Sequence, residues 1–346
     1  MSGGNRGIVS FVAAACSLVL VALGVGQLAG SAGAEPTSTR AALLAAGDAD
    51  HVLAISVDGL NTNALTQLGR SQLPNFWRLL DEGKSTINAR TAVEKTVTLP
   101  NHAGMITGRR VKASLGGHGV TINGASNTTV HELAGHYVAS IFEVARDAGL
   151  NTALYTGKDK FDLFENSWPS DIQTFLIEPD LPTLVNAARA DLLANDTELI
   201  FLHMQSTDVA GHRYGFMSSQ YLTAVRDVDT QLGRLLAVID ANPAIADGLS
   251  IVLTADHGGA AGGKAHNSRT TLENYRIPFA AWGAGTAPGD IYARNADFRN
   301  PGTALVTYKG LQPVRNANLA NLAMELLGLG PVPGSGIDAG QNLDVD

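Results

Sequence analysis

The residues of this chain that could do chemistry are aspartates and histidines that follow strand-like runs of apolar residues. Carboxylate oxygens and imidazole nitrogens are ligands for zinc and similar divalent ions, and six of them with a hydroxyl suffice for two ions with open positions. Two ions a few ångströms apart can hold the attacking and leaving oxygens of a phosphoryl displacement. The six residues fall in four places: Asp58, Asp208 with His212, Asp256 with His257, and His266.

Each of these residues also has an ordinary structural interpretation. An acid after a strand often caps a helix, and a single histidine is more often a plain polar residue than a ligand. Asp208 and His212 have the i,i+4 spacing of a surface pair on a helix. Their shared position after strands favours one common site, because random placement would scatter them over both edges of a sheet.

The segment 96–108, TVTLPNHAGMITG, contains a threonine with two interpretations. Thr98 could cap a short helix that has Pro100 in its first turn and ends between Gly104 and Gly108. Alternatively, the helix start could present N–H groups and a positive dipole end to an anion beside Thr98. The segment alone favours neither interpretation.

Strand and helix patterns alternate along the chain after His51, which predicts a doubly wound α/β fold with a mainly parallel sheet and helices on both faces. Ligands of such folds gather outside the carboxyl ends of the strands, where the acids lie. The predicted strands are 51–59, 152–157, 198–205, 249–258 and 277–283. The predicted helices are 74–83, 139–149, 180–194, 218–240 and 316–327.

The first 34 residues have the order of an export signal. One charge, Arg6, precedes the apolar run Ile8–Val25, and small residues precede a predicted cleavage after Ala34. Residues 35–48 are predicted to be a flexible leader, and 49–346 a single domain without a linker or repeat. The expectation is a secreted or extracytoplasmic protein without stable membrane insertion, or a membrane-anchored one if the signal is not cleaved.

The composition limits which forces can stabilise the protein and which partners it is expected to bind. The only cysteine, Cys16, lies in the signal, so the mature chain must rely on its core and any bound metal rather than disulfides. The formal net charge is −8, and losing Arg6 makes it −9. Because no run of Lys or Arg offsets this charge, a nucleic-acid polymer is not an expected partner.

Together the motifs resemble the alkaline phosphatase superfamily, and within it the type I phosphodiesterase/nucleotide pyrophosphatase branch most closely. The resemblance covers about 51–285 and rests on order and approximate spacing. The matching motifs are Asp58, T-L-P-N-H at 98–102, D-x-x-G-H at 208–212, D-H-G at 256–258, and His266.

The resemblance implies two divalent ions, most simply zinc. It also implies that Thr98 is the nucleophile, that a covalent phospho-threonine forms, and that Asn101 donates to a phosphate oxygen. One ion would be held by Asp208, His212 and His266, and the other by Asp58, Thr98, Asp256 and His257.

Charge and missing motifs favour small phosphodiester or nucleotide substrates. Two divalent ions give +4 and the three aspartates −3, so the site is formally +1 and matches a diester of −1. No arginine aligns shortly after Thr98 to bind a monoester, since Arg109 and Arg110 lie beyond the helix, and no sulfatase motif is present. A phosphonate hydrolase and a metal-stabilised binding protein without turnover remain as alternatives.

Three further residues have open roles. Lys158 and Lys160 follow a predicted strand and could reach a substrate or lie in a solvated loop. His102 could support the site or simply pack the helix that contains it.

Overall fold

The computed structural model describes residues 48–346, so the predicted signal 1–34 and most of the predicted leader 35–48 lie outside the described residues. Within the described range, none of the helices combines the length and apolar character needed to cross a membrane.

One eight-stranded sheet organises the described chain. Its strands lie in the order β4-β3-β5-β1-β6-β7-β2-β8. Five strand pairs are parallel and the two pairs made by β7 are antiparallel. The predicted doubly wound, mainly parallel α/β fold is therefore confirmed. The strands are β1 His51–Val57, β2 Lys84–Arg90, β3 Thr152–Thr156, β4 Thr174–Ile177, β5 Leu199–Met204, β6 Leu249–Thr254, β7 Arg276–Gly283 and β8 Gly289–Asp290.

The helices pack around the sheet in two groups, one around the long helix α9 and one around α13. They are α1 Thr62–Gln72, α2 Pro74–Glu82, α3 Thr98–Thr107, α4 Val130–Ala134, α5 Ile141–Asp147, α6 Asp162–Ser167, α7 Leu181–Ala194, α8 Ser206–Tyr214, α9 Ser219–Ala241, α10 Pro243–Ala246, α11 Leu272–Tyr275, α12 Ile291–Arg294 and α13 Asn318–Leu326. The five predicted helices correspond to α2, α5, α7, α9 and α13.

The central strands form because they are short apolar runs that the sheet buries on both faces. Every residue of β5 and β6 is buried, and so is every residue of β1 after His51. Parallel strands covered on both faces have this near-continuous apolar composition. The carboxyl ends of these three neighbouring strands therefore lie side by side.

The edge beyond β6 departs from the parallel expectation. The segment between β6 and β7 contains only the four-residue helix α11, and β7 returns antiparallel to β6. The sequence analysis did not predict β2, β4 or β8. β2 is KSTINAR, β4 is a short and partly exposed edge strand, and β8 has two residues, so none shows a buried apolar run.

A glycine permits the closest approach between two of these strand ends. Gly59, directly after Asp58, has φ +71, and a Cβ there would lie 3.0 Å from the Cα of Asp208. Only glycine fits a left-handed conformation with so little space. It allows the loop after β1 to contact the first turn of α8.

Candidate functional site

Three buried carboxylates meet at the carboxyl ends of β1, β5 and β6. Asp58 and Asp256 are fully buried and Asp208 nearly so. Each keeps one oxygen without a hydrogen-bond partner: Oδ1 of Asp58, Oδ1 of Asp208 and Oδ2 of Asp256. An unpartnered buried carboxylate oxygen is costly, and coordination of a cation offsets that cost.

The other oxygen of each carboxylate is fixed by the chain. Oδ1 of Asp256 accepts hydrogen bonds of 2.9 Å from the backbone N–H groups of Gly59 and His257. Oδ2 of Asp58 accepts a bond of 2.9 Å from Nε2 of His203. These contacts orient the carboxylates so that their unpartnered oxygens face one another.

Three imidazoles complete the cluster, and backbone carbonyls fix their tautomers. Because a carbonyl can only accept, each Nδ1 carries the hydrogen and each Nε2 keeps its lone pair, as a metal ligand requires. The bonds run from His212 to the carbonyl of Lys264 (2.8 Å), from His257 to that of Gly258 (2.9 Å), and from His266 to that of Thr96 (2.5 Å).

The separations between these atoms suit a tetrahedral ion, whose ligands at 2.0–2.1 Å lie about 3.3 Å apart. Nε2 of His257 lies 3.1 Å from Oδ2 of Asp256 and 3.4 Å from Oδ1 of Asp58. Nε2 of His212 lies 3.4 Å from Oδ1 of Asp208. The structure thus brings all six predicted residues together, and buried groups able to hold metal are present.

The possible ligand atoms of Asp208, His212 and His266 are also separated by short distances. Nε2 of His266 lies 3.6 Å from Oδ1 of Asp208 and 3.2 Å from Nε2 of His212. These three residues are the set that the family resemblance assigns to one ion. The donor set and the unpartnered oxygens therefore fit divalent metal.

Burial and neighbouring charges shift the pKa values of the cluster residues. Burial, with the neighbouring His266, lowers the pKa of His257 and keeps that imidazole neutral. Burial, with the carboxylates of Asp58 and Asp208, raises the pKa of Asp256 well above its usual range. Ionised carboxylates here repel one another, so the cluster favours cations.

Lys158 already supplies one such cation, and the solvated-loop interpretation is wrong for it. Its Nζ lies 2.5 Å from Oδ2 of Asp58 and 2.6 Å from Oδ2 of Asp208. Burial opposes its charge, but the two carboxylates raise its pKa overall. For Asp58, burial acts against ionisation, yet Lys158 and the neighbouring histidines bring its pKa well below the usual range.

Thr98 is not a helix cap. The cap of α3 is Val97, whose side chain makes no capping bond, and Thr98 is the first helical residue. Its Oγ lies 3.5 Å from Nζ of Lys158.

His102 joins the carbonyl of Thr98 through Nδ1 (2.9 Å) and Ser56 Oγ through Nε2 (2.8 Å), so this histidine supports the helix start.

The site opens into a cavity of about 450 Å³. Lys160 lines this cavity, and its Nζ donates a hydrogen bond of 2.9 Å to the carbonyl of Asn123. The wall includes Thr98, Asn123, Lys158, Lys160, Asp208 and His212. A larger cavity of about 580 Å³, lined by Arg110, Tyr308 and Arg315 among others, contains none of the six cluster residues.

The structure contradicts the expectation that Asn101 contacts phosphate. Both N–H groups of its amide are used, because Nδ2 donates to the carbonyls of Lys95 (2.9 Å) and Val97 (3.0 Å). Its Oδ1 accepts from the N–H of Ala92 at 3.0 Å. Asn101 is buried and does not line the cavity that contains Thr98.

Two residues at the site were missed by the sequence analysis. His203 pairs in register with Ser56 on β1, which places it beside Asp58; its apolar strand context concealed it. Asn123 accepts a 2.9 Å bond from the N–H of Leu99 and lies in a glycine-rich loop. The register of β1 and β5 is the signal that points to His203, and no comparable signal points to Asn123.

A family model described as type I phosphodiesterase / nucleotide pyrophosphatase matches residues 52–301. Similar curated proteins include GPI ethanolamine phosphate transferase 1 of Yarrowia lipolytica, 29% identical over 143 residues, which are 41% of this chain and 15% of that protein. The Saccharomyces cerevisiae protein of the same description is 35% identical over 94 residues, 27% of this chain and 10% of that protein. The chain thus aligns with only a small part of these relatives' length.

Solved structures show the same fold at low identity. Murine ectonucleotide pyrophosphatase / phosphodiesterase 5, solved in complex with AMP, has a TM-score of 0.63 at 14% identity and covers 86% of this chain and 100% of that one. The lipoteichoic acid synthase LtaP from Listeria monocytogenes has a TM-score of 0.59 at 18% identity, covering 87% and 77%.

Removing metal should destabilise the protein, because the three carboxylates lose the cations that offset their repulsion. Binding at 100–1,000 times Kd adds about 3–4 kcal/mol, so chelation should lower Tm by roughly 5–10 °C. Differential scanning calorimetry with zinc and with chelator measures the change.

Asp256→Asn should shrink this zinc-dependent difference, since it removes the charge of one proposed metal ligand, whereas Asp227→Asn on the exposed side of α9 should leave it unchanged. An unchanged Tm after elemental analysis confirms ion removal would contradict the metal interpretation.

Proposed function

Because the chain belongs to the type I phosphodiesterase / nucleotide pyrophosphatase family, we propose that it is a metal-dependent hydrolase of phosphodiester or nucleotide pyrophosphate bonds. The observation that supports this most is the cluster of unpartnered carboxylate oxygens and Nε2 atoms beside Thr98, a threonine that does not cap its helix. Its substrates are small molecules, since the sequence has a formal net charge of −8 and no run of Lys or Arg to bind a nucleic-acid polymer.

The proposal includes two divalent ions, with zinc the best match for a set of aspartates and neutral histidines. When bound, such ions polarise a phosphoryl oxygen and lower the pKa of a hydroxyl. One ion is assigned to Asp208, His212 and His266, and the other to Asp58, Thr98, Asp256 and His257.

The chain's own residues then carry the reaction in two steps. Oγ of Thr98 gives up its proton to solvent and forms a bond to phosphorus while the bond from phosphorus to the leaving oxygen breaks, and that oxygen takes up a proton from solvent. Water next attacks phosphorus, the bond from phosphorus to Oγ breaks, one proton of the water returns to Oγ and the other goes to solvent, and the phosphate-bearing product leaves. Lys158 places positive charge 3.5 Å from Oγ, where negative charge develops.

Asn123 takes the role that Asn101 cannot fill. Its Oδ1 is held by the N–H of Leu99 at the start of α3, which leaves its amide nitrogen to donate into the cavity beside Thr98. A phosphoryl oxygen bound there would receive a hydrogen bond in the same place where α3 presents its positive end.

Charge at the site favours a substrate with a second phosphate. With two ions the formal charge is +1, and Lys158 raises it to +2, with Lys160 as a further cation on the cavity wall. A nucleotide pyrophosphate therefore matches the site better than a simple diester of −1.

Transfer to an alcohol rather than water is the second candidate. The GPI ethanolamine phosphate transferases similar to this chain are named for the transfer of ethanolamine phosphate. An alcohol bound in the open cavity would attack the phospho-threonine in place of water and form a new phosphodiester.

Thr98→Ala should lower kcat by several orders of magnitude and leave the fold in place, because the covalent route disappears. Thr98→Ser should keep substantial activity, since only a methyl group is lost. Steady-state kinetics on a chromogenic diester and acid trapping of phosphorylated Thr98 are the measurements. Thr98→Ala activity within about tenfold of wild type, a barrier change of only ~1.4 kcal/mol, would show that Thr98 is not the nucleophile.

A substrate comparison should rank a nucleotide pyrophosphate above a simple diester in kcat/KM, with a monoester and a phosphonate below both. Lys160→Met should reduce the preference for the pyrophosphate and change diester hydrolysis less. A monoester preference would refute the proposed substrate class, and phosphoryl transfer to added ethanolamine or glycerol exceeding hydrolysis would favour the transferase.

We propose export for the natural protein, on the signal-like order of residues 1–34. N-terminal sequencing of the extracytoplasmic protein should begin near Glu35, and a retained Met1 would contradict cleavage.

A further inference from the structure

A fully buried cluster of three polar side chains lies behind the metal-binding residues. Thr91, Asn101 and Asn316 are each 0–1% exposed. Oγ1 of Thr91 lies within hydrogen-bonding distance of Oδ1 of Asn101. Nδ2 of Asn316 lies 3.2 Å from that same oxygen and 3.3 Å from Oγ1 of Thr91. None of the three lines the cavity that contains Thr98.

This cluster contacts the strand end that carries Asp256. Oγ1 of Thr91 lies 2.5 Å from the carbonyl oxygen of Asp256. Nδ2 of Asn316 lies 3.3 Å from the same carbonyl and 3.3 Å from that of Ala255. The backbone from which the Asp256 carboxylate projects is therefore fixed by two side-chain donors.

The same cluster fixes the segment that orients His266. Asn101 bonds the carbonyls of Lys95 and Val97, the residues on either side of Thr96. The carbonyl of Thr96 accepts from Nδ1 of His266, and Oγ1 of Thr96 donates to the carbonyl of His266. Asn101 thus controls the rotation of that imidazole through the loop that it holds.

Asn101 also lies one turn beyond Thr98 on α3, so the cluster touches the chain around the nucleophile and around one ligand from each proposed ion set. We propose that Thr91, Asn101 and Asn316 are positioning residues that fix the coordination geometry at both ions without contacting substrate. The proposal rests on the metal-dependent function proposed above, and it gives Asn101 a role that its placement allows.

The physical reason is that the single hydroxyl hydrogen of Thr91 lies between two buried acceptors, Oδ1 of Asn101 and the carbonyl oxygen of Asp256. Without the hydroxyl, both acceptors lose this shared donor, and the contact that joins Asn101 to the backbone of Asp256 is gone. Buried acceptors left without a donor shift until they find another, and loss of residues that orient metal ligands typically costs 10–100-fold in metal affinity or activity.

The test uses Thr91→Val, which keeps the shape and removes the hydroxyl, with Thr91→Ser as the rescue that restores it. Thr107→Val is the matched control. Thr107 is fully buried like Thr91, but it lies at the end of α3 and its hydroxyl donates to the carbonyl of Ala103 within that helix. Each protein is loaded with Co²⁺, and the visible absorption spectrum, Co²⁺ affinity, kcat and KM are measured.

Thr91→Val should bind Co²⁺ 10–100-fold more weakly with an altered visible spectrum, and lose kcat with KM nearly unchanged. Thr91→Ser and Thr107→Val should match wild type in spectrum and affinity. If Thr91→Val does not fold by circular dichroism, Asn316→Leu takes its place with the same expected result. A wild-type spectrum and affinity in the folded variant, or an equal change in Thr107→Val, would overturn the proposal.

Failure of the proposed hydrolase function can be distinguished from failure of the positioning role. Wild-type protein that binds two Co²⁺ ions per chain but hydrolyses no phosphodiester would refute the hydrolase function and leave the positioning role standing. Wild-type protein that binds no Co²⁺ would refute both.

Discussion

Repulsion among three carboxylates buried at one edge of the sheet is the constraint on which the rest of the site depends. Asp58 and Asp256 follow β1 and β6, Asp208 lies in the first turn of α8 after β5, and each has an oxygen without a protein donor. A buried arrangement of this kind is unfavourable unless cations occupy its centre. Lys158 offsets part of the charge from one side, and the remaining oxygens face the histidine nitrogens.

In each aspartate and histidine of the cluster, one polar atom is held by the chain and the other is left available for an ion. One oxygen of each aspartate and Nδ1 of each histidine are held by donors or carbonyls of the chain, while the other oxygen and Nε2 remain free. A ligand oriented in this way loses little conformational freedom when an ion binds. The contacts behind the proposed ligands therefore bear on ion binding, and this is the basis of the positioning role proposed for Thr91, Asn101 and Asn316.

The sequence predicted the elements that are buried on both faces and the residues that follow them. β1, β5 and β6 are apolar runs, and acids directly after such runs must meet at one sheet edge. It did not predict β2 or β8, which lie at one edge of the sheet and lack a buried apolar run. It also did not predict that β7 runs antiparallel to β6. The role of Asn101 was taken from the motif resemblance, which does not show that the carbonyls of Lys95 and Val97 use its amide N–H groups. His203 required the strand register, and Asn123 required the course of a loop.

Anomalous diffraction at the zinc absorption edge tests the central claim most directly. Crystals of the protein grown with zinc should show two peaks in the cluster at the carboxyl ends of β1, β5 and β6. One should lie among Asp208, His212 and His266, and the other among Asp58, Asp256 and His257. Absence of peaks in this cluster, with zinc bound elsewhere or not at all, would contradict the account.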